Sequence, residues 1–226
     1  MDLLDRLELE KKQQHSEFKV EKNLNVSNLG EIIDGYKESL KLDETNTFNY
    51  ERFLIKTYTP EDIEAFSKMV YAFQDQKNFD YITGQFLSGL INKCCGDSVN
   101  LDLTNCETPI NYIGYCTTKS INVKEDIGKY LGVHMRKGKI VVNGNASDWI
   151  GNTMHNGEIE VFGNAGFSIG MFMRKGLINI HGDYKSLGVC FEGGDIYHKN
   201  NCIVKNGIVL NPFREKLRSM WYTLKG

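Results

Sequence analysis

The sequence predicts a mainly β protein built on a right-handed parallel β-helix of about 19 residues per turn, with an α-helical region before it and a helix after it. Three observations carry this. Glycines recur in three series with one common interval: Gly132, Gly151 and Gly170; Gly138, Gly157 and Gly176; Gly144, Gly163 and Gly182. Apolar residues keep that register, with Met135, Met154, Met173 and Phe191 in one column and Ile140, Ile159, Ile178 and Ile196 in another. From Pro60 to about residue 95 the apolar spacing is helical, and from Ser98 it gives way to short alternating runs.

A fixed period of this length marks a solenoid. Val142, Val161 and Ile180 make a third apolar column, and Leu131, Ile150, Ile169 and Leu187 a fourth. Gly188 and Gly194 carry two glycine series onward after a one-residue deletion. The I-x-V pairs alternate as strand residues do. The glycines supply corners with positive φ, or let one backbone pass close to another. One such unit cannot bury its apolar face alone, but stacked on a copy at about 4.8 Å it can. Ile113, Gly114, Ile121 and Val123 fit one turn earlier, and Leu101 and Leu103 a turn before that. Ile203, Val204, Ile208 and Val209 fall toward the far end, so a coil of about five turns fits residues 98–210.

The flanks are punctuated by the only prolines, Pro60, Pro109 and Pro212. Residues 1–58 are polar without a strong period, and Leu3, Leu4 and Leu7 form at most a weak amphipathic stripe. Thr59-Pro60-Glu61-Asp62 reads as a helix start, with a capping hydroxyl, proline in the first turn and acid near the positive helix end. Ile63, Phe66, Met69, Val70 and Phe73 follow at helical spacing, a second helix is predicted over 80–93, and FREKLRSMWY after Pro212 predicts a terminal helix. These helices are placed to cover the open ends of the coil. The resulting division is 1–95 helical cap, 96–210 β-helix and 211–226 terminal helix.

The net charge of -2 gives no whole-chain attraction to nucleic acid or acidic membranes. No apolar stretch has the length of a membrane span, and MDLLDRLELEKKQQ lacks the basic-then-apolar plan of a signal peptide. A cytoplasmic protein without nucleic-acid or membrane partners is expected. The six cysteines include no C-x-x-C and are expected to be reduced structural thiols.

Catalytic patterns are sparse. The glycines continue through the coil without the helix that a dinucleotide-binding loop requires, and the three faces differ too much for a hexapeptide coil. His134, His155 and His181 occupy different offsets and His198 sits where the coil ends, so no stacked zinc column is predicted. Ser147, Ser168 and Ser186 have no histidine at matching offsets. Glu158 and Glu160 share one strand face, most simply a solvated one. Arg136, His155 and Arg174 fall in one column, and Lys137, Asn156 and Lys175 in the next. That ladder of cations is either a splayed, solvated face or a patch for an anion or an acidic partner, and protonation of His155 between two arginines is disfavoured. Asn145, Asn164 and Asp183 form a column suited to a structural hydrogen-bond ladder. A stand-alone enzyme or binder would place its site where the helices meet the coil, with Tyr112, Tyr115, Cys116 and Lys119 as candidates.

The segment GVHMRKGKIVVNGNASDWIGNTMHNGEIEVFGNAGFSIGMFMRKGLINIHGD resembles the repeat of the GXGXG-motif domain family, named for the C-terminal domain of glutamate synthase. Within that family the closest look is to the C subunit of formylmethanofuran dehydrogenase. The resemblance covers about residues 110–205 and rests on the glycine triads, the methionine before the second glycine, and Gly-Asn-Ala at 144–146 and 163–165. The family's acidic G-D-A-G is Gly-Asn-Ala-Ser at 144–147 and Gly-Asn-Ala-Gly at 163–166. The resemblance implies a β-helical scaffold that packs beside the catalytic subunits of an oxidoreductase complex and binds no cofactor or metal of its own.

Overall fold

The computed structural model describes residues 28–41 and 56–225. Helix α1 (Leu29–Ser39) is followed by α2 (Pro60–Ser67), a 3-10 turn (Val70–Phe73) and α3 (Phe79–Asn92). One eight-stranded sheet comes next: β1 (Ser98–Leu101), β2 (Ser120–Val123), β3 (Lys139–Val142), β4 (Glu158–Val161), β5 (Leu177–Ile180), β6 (Asp195–His198), β7 (Asn201–Lys205) and β8 (Ile208–Val209). Helix α4 (Pro212–Lys225) ends the described chain.

Strands β1 to β6 pair in parallel and in sequence order, the signature of a β-solenoid. Ile121, Ile140, Ile159, Ile178 and Ile196 stand in register through the interior, as do Val142, Val161 and Ile180. A second line of parallel bridges joins Ile127, Ala146, Ala165 and Tyr184 across another face. The far end departs from the expected coil, because β7 and β8 pair antiparallel and close the sheet as a hairpin.

The glycines divide by job. Gly132, Gly151 and Gly170 (φ 65°, 63° and 70°) occupy left-handed corners. Gly163 and Gly182 instead sit against the turn before: a Cβ would lie 2.5 Å from the Gly144 carbonyl oxygen and 2.4 Å from that of Gly163. Non-glycine residues share the left-handed work, which the glycine series alone does not reveal. Tyr112, Tyr130, Trp149 and Ser168 form one such column at φ 61° to 67°, and Cys116, His134, Thr153, Phe172 and Cys190 another at φ 50° to 59°. Tyr112 stacks on Tyr130 at 4.6 Å, and Tyr130 on Trp149 at 5.9 Å.

The helical region is built where the sequence predicts it, with shifts at the ends. Thr59 and Asp62 form a reciprocal capping box. The helix it starts ends at Ser67, and Val70 and Phe73 are buried from the 3-10 turn. Helix α1 lies within the stretch that showed no strong period and buries Ile32, Ile33 and Tyr36. The Tyr36 ring meets Phe66, Phe73 and Phe86 edge-on, each at 5.2 Å. The Leu3, Leu4 and Leu7 stripe lies outside the described residues. One apolar core runs without a break from Ile32 to Val204.

Helix α3 covers the first corner of the coil with a stripe spaced by four residues: Asp80, Gly84, Ser88 and Asn92. Within the coil, corner amides donate to a neighbouring turn, as Gly132 does to Ile113. At the first corner Ser88 stands in for the missing turn. Its hydroxyl accepts from the amides of Gly114 (3.0 Å) and Tyr115 (3.1 Å) and lies 2.9 Å from the Tyr112 carbonyl. Asn92 donates to the Tyr115 carbonyl (3.2 Å), and the Asp80 carboxylate accepts from the Asn111 side chain.

Candidate functional site

Three regions of the outer surface gather polar chemistry. A groove of about 480 Å3 lies where α3 meets the coil, walled by Asp80, Asn111, Asp126, Lys129, Asp148 and Lys185 and floored by small residues such as Ala146 and Ala165. Tyr112, Tyr115, Cys116 and Lys119, the candidates for a site where the helices meet the coil, do not line it. Tyr112 is instead packed between Tyr81 and Tyr130, and burial pushes its hydroxyl to a higher pKa. Lys119 faces Asp97 at 3.5 Å.

Beside the groove runs the predicted Asn145–Asn164–Asp183 ladder, headed by Asp126, a member that the sequence reading missed. Each side-chain oxygen accepts from the backbone amide one turn on: Asp126 from Asn145 (2.7 Å), Asn145 from Asn164 (2.8 Å) and Asn164 from Asp183 (2.8 Å). The rungs therefore join side chain to backbone, and the Asn145 side-chain amide also donates to the Asp126 carboxylate (2.9 Å). Asp148 repeats the device, accepting from the Phe167 amide (2.9 Å) while facing Lys129. The ladder and its neighbours thus spend their acceptors on holding successive turns together.

The second region is the outer face of the sheet. Lys139 Nζ lies 2.8 Å from Glu158 and 2.7 Å from Glu160. His181 Nε2 lies 3.0 Å from Glu160, and the His181 ring stacks on Phe162 at 4.6 Å. The hydrogen bond from Lys139, with a smaller contribution from His181, holds the Glu160 carboxyl below its ordinary range. Two carboxylates tied to one lysine make an ion-paired cross-strand cluster, where a solvated pair was expected.

The third region is the cationic corner. Arg136, Lys137, Arg174 and Lys175 are exposed and His155 is half-buried. Among the described residues, Arg136, Lys137 and Lys175 have no acid within ion-pair distance, whereas Arg174 Nε meets Glu192 Oε2 at 3.1 Å. Glu192 follows Arg174 one turn on, past the one-residue deletion, so the cation column ends in an acid. Arg174 Nη1 lies 3.4 Å from His155 Nδ1. Offsets alone kept His134 apart from His155, yet their rings are 6.1 Å apart, because outward residues on either side of a buried methionine converge on one corner. Burial, then the charges of His155, Arg136 and Arg174, lower the His134 pKa. Tyr115 packs edge-on against His134 at 5.9 Å, and its hydroxyl is pushed up to about 12, mainly by burial.

Among the described residues no group of three or more His, Cys, Asp or Glu is arranged to hold a metal ion. The six thiols are unpaired, and burial pushes that of Cys106 up to about 11. No described helix is long and apolar enough to cross a membrane. Comparisons with family models, with curated proteins and with solved structures find no match to this chain.

Proposed function

We propose that this chain is a non-catalytic β-helical scaffold, an interaction subunit that docks protein partners at the C-terminal end of its coil. One observation carries the reading. Helix α4 turns its polar side to the coil: Glu215 accepts from the Tyr184 hydroxyl (2.6 Å), and Arg218 donates to the Tyr184 carbonyl (3.1 Å) with its guanidinium over the ring. Apolar side chains of the helix are left to solvent, with Phe213 72% and Met220 52% exposed, and Ile208 and Leu210 just before it in the chain are exposed too. Large apolar residues exposed together over one short stretch of chain point to an interaction site. The neighbouring strand β8, which among the described residues pairs only with β7, favours a protein partner over lipid, because hydrocarbon cannot satisfy open backbone groups.

The resemblance to the GXGXG-motif family gives that partner a class: the catalytic subunits of a cytoplasmic oxidoreductase complex, whose cofactors are held outside this chain. The engagement of the ladder carboxylates, Glu158 and Glu160 in structural bonds supports a non-catalytic role for the coil. The test is affinity purification of tagged protein from its native source, with mass spectrometry of what co-elutes. Stoichiometric recovery of redox subunits is expected, and its loss in Phe213→Glu/Met220→Glu at unchanged Tm. Recovery of the wild type alone, or a variant that keeps its partners, overturns the proposal.

A further inference from the structure

We propose that the corner formed by Arg136, His155 and Arg174, with His134 beside them, is a binding site for a tetrahedral oxyanion of the phosphate type. It lies on the coil, stands apart from the α4 surface, and does not depend on any docking there. Arg136 and Arg174 are two turns apart, a backbone separation of roughly 10 Å, which two long side chains close around one small anion with His155 between them. A guanidinium presents a planar fork of donors matched to phosphate oxygens.

The hydrogen bonds assign the ring protons. Arg174 can only donate, so His155 Nδ1 accepts its Nη1 contact and His155 carries its proton on Nε2, as a further donor. The Thr153 hydroxyl donates to the Asn152 carbonyl at 2.7 Å, so it accepts from His134 Nδ1 at 2.9 Å. His134 therefore holds one proton on Nδ1 and presents a bare Nε2. The groups facing His134 are Tyr115 from the preceding turn, Arg136 from its own, Thr153 and His155 from the next, and Arg174 beyond. Burial depresses its protonation first, and the positive field of Arg136 and Arg174 adds to that, with His155 contributing only when it is itself protonated. A bound dianion reverses that field, protonates Nε2 and adds a donor, so binding takes up a proton.

Two other features fit. Glu192 holds Arg174 as an internal carboxylate, which an incoming oxyanion displaces. Lys137 and Lys175, one column along, do not figure among the charges acting on His134. They carry the same formal charge as the two arginines, and so provide a control for diffuse attraction.

The test is a titration with inorganic phosphate, followed by NMR of the 15N-labelled histidine rings at about pH 6.5 and at ionic strength fixed with sodium chloride. Saturable shifts of both His134 and His155 are expected, with the His134 midpoint rising as phosphate is added. Arg136→Gln/Arg174→Gln should weaken binding about tenfold or more, and Lys137→Gln/Lys175→Gln by less than about threefold. Glu192→Gln, which leaves both arginines in place, should tighten it and keeps the proposal testable if the double arginine variant does not fold. Methyl phosphate in place of phosphate separates an esterified ligand, which binds more tightly, from the free ion, and either result upholds the site. Shifts that follow ionic strength alone, equal losses in the two double variants, or weaker binding in Glu192→Gln overturn it.

Discussion

Replacing Ser88 with alanine removes one oxygen and should uncouple the helical cap from the coil. The Ser88 hydroxyl is fully buried and accepts from both the Gly114 and Tyr115 amides, while its own proton goes to the Gly84 or Tyr112 carbonyl. Alanine fits the space but leaves the Gly114 N–H without an acceptor, at about 2 kcal/mol, whereas the Tyr115 N–H keeps the Tyr112 carbonyl at 3.3 Å. Its better helix propensity returns about 0.5 kcal/mol. The net loss is therefore about 1.5 kcal/mol, large against the stability of a single domain. Urea unfolding should show a lower midpoint at constant slope. Native-state hydrogen exchange should show lost protection at Gly114 before amides deeper in the coil. Thr223→Ala, at an exposed position of α4, should stay within about 0.5 kcal/mol of wild type. A Ser88→Ala cost below about 1 kcal/mol, with the Gly114 amide still protected, would refute the claim that Ser88 replaces the missing turn.

Gly84→Ala should cost about 3 kcal/mol or more in the same urea experiment, because its Cβ would stand 1.6 Å from the Asn111 carbonyl oxygen and force α3 off the coil. Asn164→Leu removes the acceptor for the Asp183 amide at an exposed rung, so about 1 kcal/mol of stability should be lost while phosphate still shifts the His134 ring. His134 binds its proton less readily folded than unfolded. Its contribution to stability is thus complete above the unfolded pKa of about 6.5 and is lost as pH falls toward the lower folded value, by at most about 1.4 kcal/mol per pH unit. His134→Gln should flatten that slope in urea titrations from pH 7 to 5, and an unchanged slope would count against the depressed pKa.

What the sequence discloses here is what stacking repeats. The isoleucine and valine columns, the glycine series and the asparagine ladder each recur once per turn, so one turn predicts the next. Features without period were harder to see. Helix α1 is tied down by four buried residues, Ile32, Ile33, Tyr36 and Ser39, in a polar stretch, and Asp80, Gly84, Ser88 and Asn92 are cap residues needed only once, at the first corner. The left-handed column of Tyr112, Tyr130 and Trp149 was hidden because aromatic residues are not expected at positive φ. At the cationic corner the column gave Arg136, His155 and Arg174 directly. His134 lies at another offset and joins them only because two outward columns converge across a corner.

Stacking also explains why that corner stands out. A solenoid lays each charge about one strand spacing from its counterpart on the next turn, so like charges in a column repel unless something separates or neutralises them. Elsewhere in this coil something does. Lys139 stands in register with Glu158. Asp126 and Asp183 are held apart by two asparagines, and Asp183 meets Lys199 at 2.9 Å. Asp195 closes on Lys205 at 2.6 Å. In the Arg136–His155–Arg174 column, neutralisation arrives only at Glu192, a full turn past the last arginine, and Arg136 has no acid near it among the described residues. A single neutral ring, His155, separates the two arginines, against two asparagines between Asp126 and Asp183. The column keeps both arginines, with a histidine between them whose Nε2 proton is ready to donate, and the arrangement is balanced when a dianion occupies it.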